Sequence, residues 1–264
     1  MCTLSIIPND GQLIVTMNRD ESRDRPQSDD MRVTGDAAYP YDAEKGGTWF
    51  GVNRHGLVLA LLNYYDGHQL PQQSSAPSRG RFIPALLSAR SIDEALEKFA
   101  GLLRKDDKPF NLVLTSKDRM MHVQWNGKQL SRKDLDAKAP FFLTSTSQYA
   151  AEAFPLRQKL FNDFLQSHPV KDAAVVLRDL HLKSLPGQEN ISIFMQREKR
   201  HTKSITQAAL SSAGVAVTYY TEGQLPAMAK QGADLGNIPA LKARFEFQKP
   251  PAASLKNKNA HRPH

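Results

Sequence analysis

The sequence predicts an α+β fold in which antiparallel sheets are covered by helices. Two tight turns, residues 8–11 and the Asn126-Gly127 pair, mark hairpins, and connections this short join antiparallel neighbours. Segments with apolar residues at helical spacing form two blocks that lie between blocks of strands. This order differs from the regular strand–helix alternation of a parallel sheet, so layered antiparallel sheets are favoured.

The first half of the chain is predicted to hold two hairpins followed by two helices. Residues 2–7 and 12–17 form the first hairpin around the Pro-Asn-Asp-Gly turn, and residues 48–53 and 57–62 form the second. The long stretch 18–45 between them is predicted to be an irregular loop, either functional or mobile, and 67–78 another loop. Helices are predicted over residues 81–90 and from Ser91, which has capping-box spacing to Glu94, to about residue 104.

The second half is predicted to contain strands, then helices, then strands again. The predicted strands are 110–115, 120–125, 141–145, 191–195, 204–208 and 215–221, and the apolar faces over 156–164 and 170–177 indicate helices. From residue 249 onward the chain is basic and proline-containing, with one large aliphatic residue. We therefore expect one folded domain over residues 1–248 and a disordered basic tail over 249–264.

The composition excludes several classes of protein. The 264 residues are 40% hydrophobic, which allows a sizeable core and argues against a wholly disordered chain. The longest apolar run, residues 57–62, falls far short of the roughly 20 residues that a membrane helix needs. No secretory leader is recognisable at the N-terminus. We therefore expect a cytoplasmic protein without a membrane span.

Charge and cysteine content restrict the partners. The formal net charge is +8, but Lys249, Lys256, Lys258 and Arg262 in the tail supply half of it, so nucleic-acid binding is not expected of the folded part. A single cysteine excludes an intramolecular disulfide and a thiolate zinc cluster. The histidines show no metal-ligand spacing outside the tail. The expected partner is a small molecule, with no metal and no required cofactor.

Cys2 is the first candidate for chemistry. Removal of Met1 would leave a thiol and a free α-amine on one residue. The amine has a reference pKa of about 7.7–8.0 and suits general-base work, while the thiol is a nucleophile once deprotonated. Cys2 can therefore provide both the nucleophile and the base. The competing interpretation is a small residue at the start of a strand.

Three further segments carry polar residues near predicted strand ends. The run Asn18-Arg19-Asp20-Glu21 follows the second strand, and the first hairpin can return it beside Cys2. Arg19 can hold a thiolate or a carboxylate, and Asp20 can orient an α-ammonium group. In Gly46-Gly47-Thr48-Trp49 a close backbone approach precedes an aromatic anchor. Asn63 ends an apolar strand and can donate an N–H to an oxyanion. Each of these segments could equally be an ordinary turn or strand end.

Five features occur together in this sequence: Met1-Cys2, Asn18-Arg19-Asp20-Glu21, Gly46-Gly47-Thr48-Trp49, Ser78-Arg79-Gly80 and a strand-ending Asn63. Their combination resembles the NRDE family, which includes the transport and Golgi organisation proteins. The resemblance implies a fold of the N-terminal-nucleophile hydrolase type, a four-layer αββα sandwich. It implies that Cys2, Arg19, Asp20 and Asn63 are the counterparts of the catalytic residues in cysteine acylases of that fold. Asn18, Glu21 and Trp49 are the neighbouring candidates for ligand binding.

Two later positions depart from the family pattern. Thr144-Ser145-Thr146 stands where the pattern has Ser-Asn-Ser, and His201-Thr202-Lys203-Ser204 stands where it has Gly-Thr-Arg-Ser. Ser145 lacks the amide donor of Asn, and Lys203 is a point charge without the planar fork of Arg. Both are kept as ligand-binding candidates. These departures leave a conventional acylase pocket incomplete.

Two functions from different classes follow from the resemblance. The first is an intracellular haem-binding and haem-trafficking protein built on a hydrolase scaffold, because the family is linked to haem trafficking and basic residues such as Arg19 and Lys203 can accept propionates. Haem would be cargo in that case. The second is a Cys2-dependent hydrolase of an amide C–N bond, which rests on the chemistry of Cys2, Arg19, Asp20 and Asn63.

Overall fold

Strands dominate the structure, a computed structural model that describes residues 2–65, 77–169, 171–230 and 233–247. The strands of these ranges are β1 (Cys2–Asn9), β2 (Gln12–Ser22), β3 (Met31–Val33), β4 (Ala37–Pro40), β5 (Phe50–Asn53), β6 (Val58–Asn63), β7 (Phe110–Thr115), β8 (Met120–Trp125), β9 (Leu130–Leu135), β10 (Phe141–Ser145), β11 (Arg200–Leu210), β12 (Gly214–Tyr220) and β13 (Leu241–Glu246). The α-helices are α1 (Phe82–Leu86), α2 (Ile92–Leu102), α3 (Ala150–Ser167), α4 (Ala173–Val176) and α5 (Leu225–Met228).

The strands form two antiparallel sheets. Sheet I has the order β10-β1-β2-β11-β12-β13, and sheet II runs from β3 to β9 in chain order. The β1–β2 hairpin is central in sheet I, and its register pairs Cys2 with Arg19 and Asn9 with Gln12. This register follows from the turn at Asp10 and Gly11, where both residues have positive φ. The hairpin brings the end of β2 back beside the chain's second residue.

Alternation along the strands produces four layers. Leu4, Ile6 and Val15 of sheet I share a buried cluster with Phe50 and Val58 of sheet II, so the two sheets pack face to face. On the outer face of sheet II, α1 and α2 bury a second apolar cluster. On the outer face of sheet I, α3, α4 and α5 bury two more. The result is the αββα sandwich that the family resemblance implies.

Many predicted elements are confirmed. Both N-terminal hairpins, the strands over 110–115, 120–125 and 141–145, and the long strands after residue 200 are present. Helix α2 begins after Ser91, whose Oγ accepts from the Glu94 N–H at 3.2 Å, as its capping spacing predicts. Among the described residues, no helix is both long enough and apolar enough to cross a membrane.

Several boundaries differ from the prediction. Residues 191–195 form no strand, because the Ile191 carbonyl accepts from Arg157 and the Ile193 carbonyl from Asn18 instead of from a neighbouring strand. Strand β2 continues to Ser22, and β3 and β4 lie within the stretch predicted to be irregular. The prediction lacked β9 and β13. The 249–264 tail and most of the 67–78 loop lie outside the described residues.

Candidate active site

Cys2 is held at the start of β1 by the two strands that flank it. It lies opposite Arg19 of β2 on one side and opposite Ser145 of β10 on the other. Its backbone N–H donates to Ser145 Oγ at 3.2 Å. Because side chains alternate along a strand, Cys2 shares the inter-sheet face with Leu4 and Ile6, and 8% of its surface is exposed. The thiol therefore lies at the end of the core between the sheets.

A cavity of about 330 Å³ lies beside Cys2, and we call it the front cavity. Its walls come from the ends of β1 and β2 in sheet I, from the end of β6 in sheet II, and from the segments 45–49 and 77–80. The residues that line it include five cations, which are Arg19, Arg25, Lys45, Arg79 and Lys108, and three acids, which are Asp20, Glu21 and Asp42. The front cavity therefore has an excess of positive charge.

The Arg19 guanidinium is fixed from three directions. It donates to Gln27 Oε1 at 2.6 Å and to Asp42 Oδ2 at 3.1 Å, and its Cζ lies 4.2 Å from the centre of the Trp49 ring. A planar guanidinium can stack and pair at the same time, which an ammonium cannot. Burial raises the pKa of the Cys2 thiol, and the Arg19 charge acts in the opposite direction. Arg19 therefore favours the thiolate of a buried thiol.

A second polar group lies on the helix-facing side of the same strands, and we call Thr3, Asp20, Thr144, Arg157 and Thr202 the rear cluster. Asp20 Oδ1 accepts from Thr202 Oγ1 at 2.7 Å, and Asp20 Oδ2 lies 3.6 Å from Arg157 Nη2, with both side chains completely buried. Arg157 Nη1 donates to Thr3 Oγ1 at 3.0 Å and to Thr144 Oγ1 at 2.9 Å. Burial raises the pKa of Asp20, and the Arg157 charge opposes that rise.

Arg79 reaches the front cavity because its segment packs against the Gly47 segment. The Thr48 N–H donates to the Gly80 carbonyl at 3.0 Å, and a Cβ on Gly47 would lie 2.6 Å from the Gly80 carbonyl carbon. This close approach requires glycine at position 47, whereas Gly46 is favoured by its positive φ of 69°. Arg79 Nη1 donates to the Pro109 carbonyl at 2.7 Å, and burial lowers the pKa of Arg79.

Asn63 borders two cavities. It lines the front cavity and also a smaller one of about 130 Å³, which Ser145 and Tyr65 line as well. One hydrogen of its amide nitrogen is donated to Tyr65 Oη at 2.8 Å. The amide has a second hydrogen, so Asn63 can also donate to a ligand oxygen. Within the described ranges, no cluster of three His, Cys, Asp or Glu side chains is arranged to hold a metal ion.

Comparison with known families settles the relationship that the motifs suggest. Residues 1–221 match the sequence model of the family described as Transport and Golgi organisation 2. The chain belongs to this family. The matched segment includes Cys2, Arg19, Asp20, Asn63 and Arg157. No curated protein sequence matches the chain.

Solved structures show the fold of this family member. It is similar to a Caenorhabditis elegans ortholog of N-acylethanolamine-hydrolyzing acid amidase, with 15% identity, a TM-score of 0.53, and coverage of 79% of this chain and 92% of the amidase chain. Penicillin V acylase from Agrobacterium tumefaciens gives 10% identity and a TM-score of 0.48 over 84% and 83% of the two chains. A C2A mutant of conjugated bile acid hydrolase from Clostridium perfringens gives 12% identity and a TM-score of 0.46, with coverage of 95% of this chain and 97% of the hydrolase chain. The match to the amidase shows that the αββα sandwich has the N-terminal-nucleophile hydrolase type of fold.

Most of the predicted site residues meet in one place in this member of the Transport and Golgi organisation 2 family. The front cavity is lined by Cys2, Arg19, Asp20, Glu21, Trp49 and Asn63. Ser145 contacts the backbone of Cys2 and lines the smaller cavity. The Glu21 carboxylate accepts from the Ser22 N–H at 2.8 Å, and its pKa is lowered by hydrogen bonding and nearby positive charge, which outweigh its burial. The first hairpin, the segment before β5, and the ends of β6 and β10 together assemble this group.

Asn18 does not line the front cavity. Its Nδ2 donates to the carbonyls of His181 and Ile193 at 2.9 and 3.1 Å, which leaves Oδ1 to accept from His181 Nδ1 at 2.7 Å. His181 Nε2 then accepts from Ser5 Oγ at 2.7 Å, a tautomer assigned from the hydrogen-bond network. Burial lowers the pKa of His181 to about 3. Asn18 therefore ties the segment before β11 to sheet I.

Lys203 also lies outside the lining of the front cavity. Its Nζ donates to the carbonyls of Arg23 and Arg25 at 3.1 and 2.9 Å and pairs with Glu222 Oε2 at 3.1 Å. The register of β2 and β11 shifts between Thr202 and Ser204, so Lys203 occupies a bulge. The ammonium group thus holds the segment that follows β2, and Arg25 from this segment reaches the cavity.

Sequence reasoning missed two site residues, Arg79 and Arg157. Arg79 belongs to the Ser-Arg-Gly segment, but nothing in the sequence places that segment beside Cys2. Arg157 had a local signal, because it follows Ala153 by one helical turn and precedes Phe161 by another, and all three are buried. An arginine on the apolar face of a helix indicates a buried carboxylate partner.

Proposed function

We propose that this member of the Transport and Golgi organisation 2 family is a cysteine amidohydrolase that cleaves a C–N bond, with Cys2 as an N-terminal nucleophile. The observation that carries this proposal is the register of sheet I, which sets Cys2 between Arg19 and Ser145 at the wall of a cavity that Asn63 also lines. The fold shared with an acid amidase ortholog supports the same reaction class.

The first requirement of this mechanism is a base for the Cys2 thiol. Removal of Met1 would turn the Cys2 nitrogen into a primary amine with a reference pKa of about 7.7–8.0. That nitrogen lies 3.2 Å from Ser145 Oγ, which can accept one of its hydrogens and orient its lone pair. The amine takes the thiol proton, and Arg19 stabilises the thiolate. Asp20, which follows Arg19 in β2, stabilises the α-ammonium group.

The chemical steps then require no further protein nucleophile. The thiolate attacks the amide carbon, and the Asn63 amide donates to the oxyanion. The C–N bond breaks as the α-ammonium group returns its proton to the leaving amine, which leaves a thioester on Cys2. A water molecule loses a proton to the α-amine and attacks the thioester, which releases the acid and regenerates the thiol.

The test is turnover of a panel of N-acyl amides, measured as released primary amine. Cys2→Ala is expected to abolish turnover, and Cys2→Ser, which keeps the α-amine and a weaker nucleophile, to retain slow turnover. Cys2 is the chain's single cysteine, so prior alkylation with iodoacetamide modifies one known thiol and should inactivate the protein. Turnover that survives in Cys2→Ala at the wild-type rate contradicts the proposal.

A second candidate is haem binding as cargo. It is supported by the positive excess in the front cavity and by a thiol on the same wall, since haem combines two carboxylates with an iron that accepts thiolate. Haemin titration should then give a saturable shift of the Soret band, and Cys2→Ala should move the position of that band. A titration without spectral change removes this candidate and leaves the hydrolase proposal untouched.

A further inference from the structure

The five cations of the front cavity fall into two groups. Three of them have carboxylate partners: Arg19 and Arg25 pair with Asp42 at 3.1 and 2.8 Å, and Lys45 pairs with Glu44 at 3.2 Å. Arg79 and Lys108 have no carboxylate within ion-pair distance among the described residues. Arg79 and Lys108 are therefore the two cations of the cavity without an ion-pair partner among the described residues.

Arg79 and Lys108 lie on the same wall. Arg79 Nη1 donates to the carbonyl of Pro109, the residue that follows Lys108, at 2.7 Å. This bond uses one part of the guanidinium and leaves other N–H groups for a ligand. Burial lowers the pKa of Arg79 and outweighs the opposing effect of nearby acidic groups, Glu21 and Asp107 among them. A cation held in this way is stabilised by an anionic ligand.

We propose that Arg79 and Lys108 form an anion subsite that binds a carboxylate of the ligand beside Cys2. For the proposed amide hydrolysis, this subsite assigns the substrate class: a small amide that carries a carboxylate, such as an N-acyl amino acid. That assignment rests on the proposed function, whereas the anion subsite itself does not depend on turnover. The arginine fork can bind the carboxylate through two parallel hydrogen bonds, and Lys108 adds a point charge.

The single cysteine provides a direct assay of the subsite. Iodoacetate and iodoacetamide react with a thiolate in the same way, since an S–C bond forms and iodide leaves, but only iodoacetate carries a carboxylate. The rates of both reactions at Cys2 are measured on the full chain by mass spectrometry. Arg79→Gln and Lys108→Gln are each expected to lower the iodoacetate-to-iodoacetamide rate ratio about fivefold, as the loss of one nearby, partly screened charge would do.

Matched variants separate the subsite from general electrostatics. Lys45→Gln removes a cation from the same cavity, but one already paired with Glu44, and is expected to leave the ratio near the wild-type value. Arg79→Lys keeps the positive charge, so its iodoacetate-to-iodoacetamide rate ratio should stay close to that of the wild type. If Arg79→Gln fails to fold, Lys108→Gln and Lys108→Glu still test the subsite, and the charge reversal should lower the ratio further.

Two results overturn the inference. The first is an unchanged ratio in Lys108→Gln and Lys108→Glu proteins that react normally with iodoacetamide. The second is a fall in Lys45→Gln as large as in Arg79→Gln, which would show diffuse attraction instead of a subsite. Neither measurement uses an amide substrate, so failure of the hydrolase proposal and failure of the anion subsite are distinguishable.

Discussion

The front cavity and the rear cluster lie on opposite sides of β1 and β2 and balance their charges differently. In the front cavity, two of five cations have no carboxylate partner among the described residues. In the rear cluster, Asp20 and Arg157 are completely buried and face each other at 3.6 Å. Adjacent residues of one strand, Arg19 and Asp20, supply the two sides. The front therefore carries the proposed site for a charged ligand, whereas the rear holds the strands in place.

The largest expected effect is in the rear cluster. Arg157→Met keeps the side-chain volume but leaves the buried Asp20 carboxylate without its arginine, so the free energy of unfolding should fall by about 3–5 kcal/mol. Urea denaturation measures this change. Arg178→Met, which breaks an exposed pair with Asp179, is the control and should cost less than about 1 kcal/mol. Equal losses in the two variants contradict a buried ion pair at Arg157.

A double variant sharpens the same comparison. Adding Asp20→Asn to Arg157→Met removes the uncompensated charge, so the double variant should recover part of the lost stability although it lacks both ionised groups. Strictly additive losses would mean that the two side chains do not interact. Because Asp20 is also assigned to the reaction, this cycle is measured by stability alone.

The next effect concerns the wall of the front cavity, which depends on backbone contact instead of a buried ion pair. Gly47→Ala would place a Cβ 2.6 Å from the Gly80 carbonyl carbon and should destabilise the fold by about 1–3 kcal/mol. Gly101→Ala in α2 meets nothing within 4 Å and should stabilise the fold by up to about 1 kcal/mol. Thermal denaturation compares the two. A neutral Gly47→Ala would show that the two loops can separate freely.

A pH dependence with a defined sign is expected from His181 on the rear side of sheet I. Burial lowers its pKa from the ordinary 6.5 to about 3, so between these values the unfolded chain binds a proton that the folded chain excludes. Stability should therefore fall as the pH drops below 6.5, by at most about 1.4 kcal/mol per pH unit from this group. Urea midpoints at pH 7, 6 and 5 measure the slope.

The variant His181→Gln should reduce that slope. His55→Gln, on the exposed turn between β5 and β6, is the matched control and should leave it as it is in the wild type. A wild-type slope in His181→Gln would assign the acid sensitivity to other groups.

Local patterns predicted the elements and the front cavity better than the rear cluster. The Asp10-Gly11 turn and the alternation of β1 and β2 are local, and they suffice to place Cys2 beside Arg19. The extra strand length to Ser22 was missed because charged residues there suggest a loop, whereas β11 pairs with them. Hydrogen-bonding partners far apart in sequence decide such cases, and sequence patterns do not record them.

Side-chain contacts between residues far apart in sequence show the same limit. Residues 191–195 are mostly apolar and resemble a strand, yet the carbonyls of Ile193 and Ile191 accept from the side chains of Asn18 and Arg157. Asn18 was predicted to bind a ligand because it precedes Arg19, but alternation turns it toward His181. Arg79 was noted within a motif, but its approach to the cavity depends on the Gly47–Gly80 contact, which only the folded chain shows.

The proposed mechanism requires Cys2 to be an N-terminal nucleophile, and the intact mass of the purified protein is the decisive measurement. We expect a chain lighter by one methionine residue, with Cys2 at its terminus and a free α-amine available as the base. Amide turnover by protein whose mass shows that Met1 is retained would rule this mechanism out, because the Cys2 nitrogen would then be an amide and could not take the thiol proton.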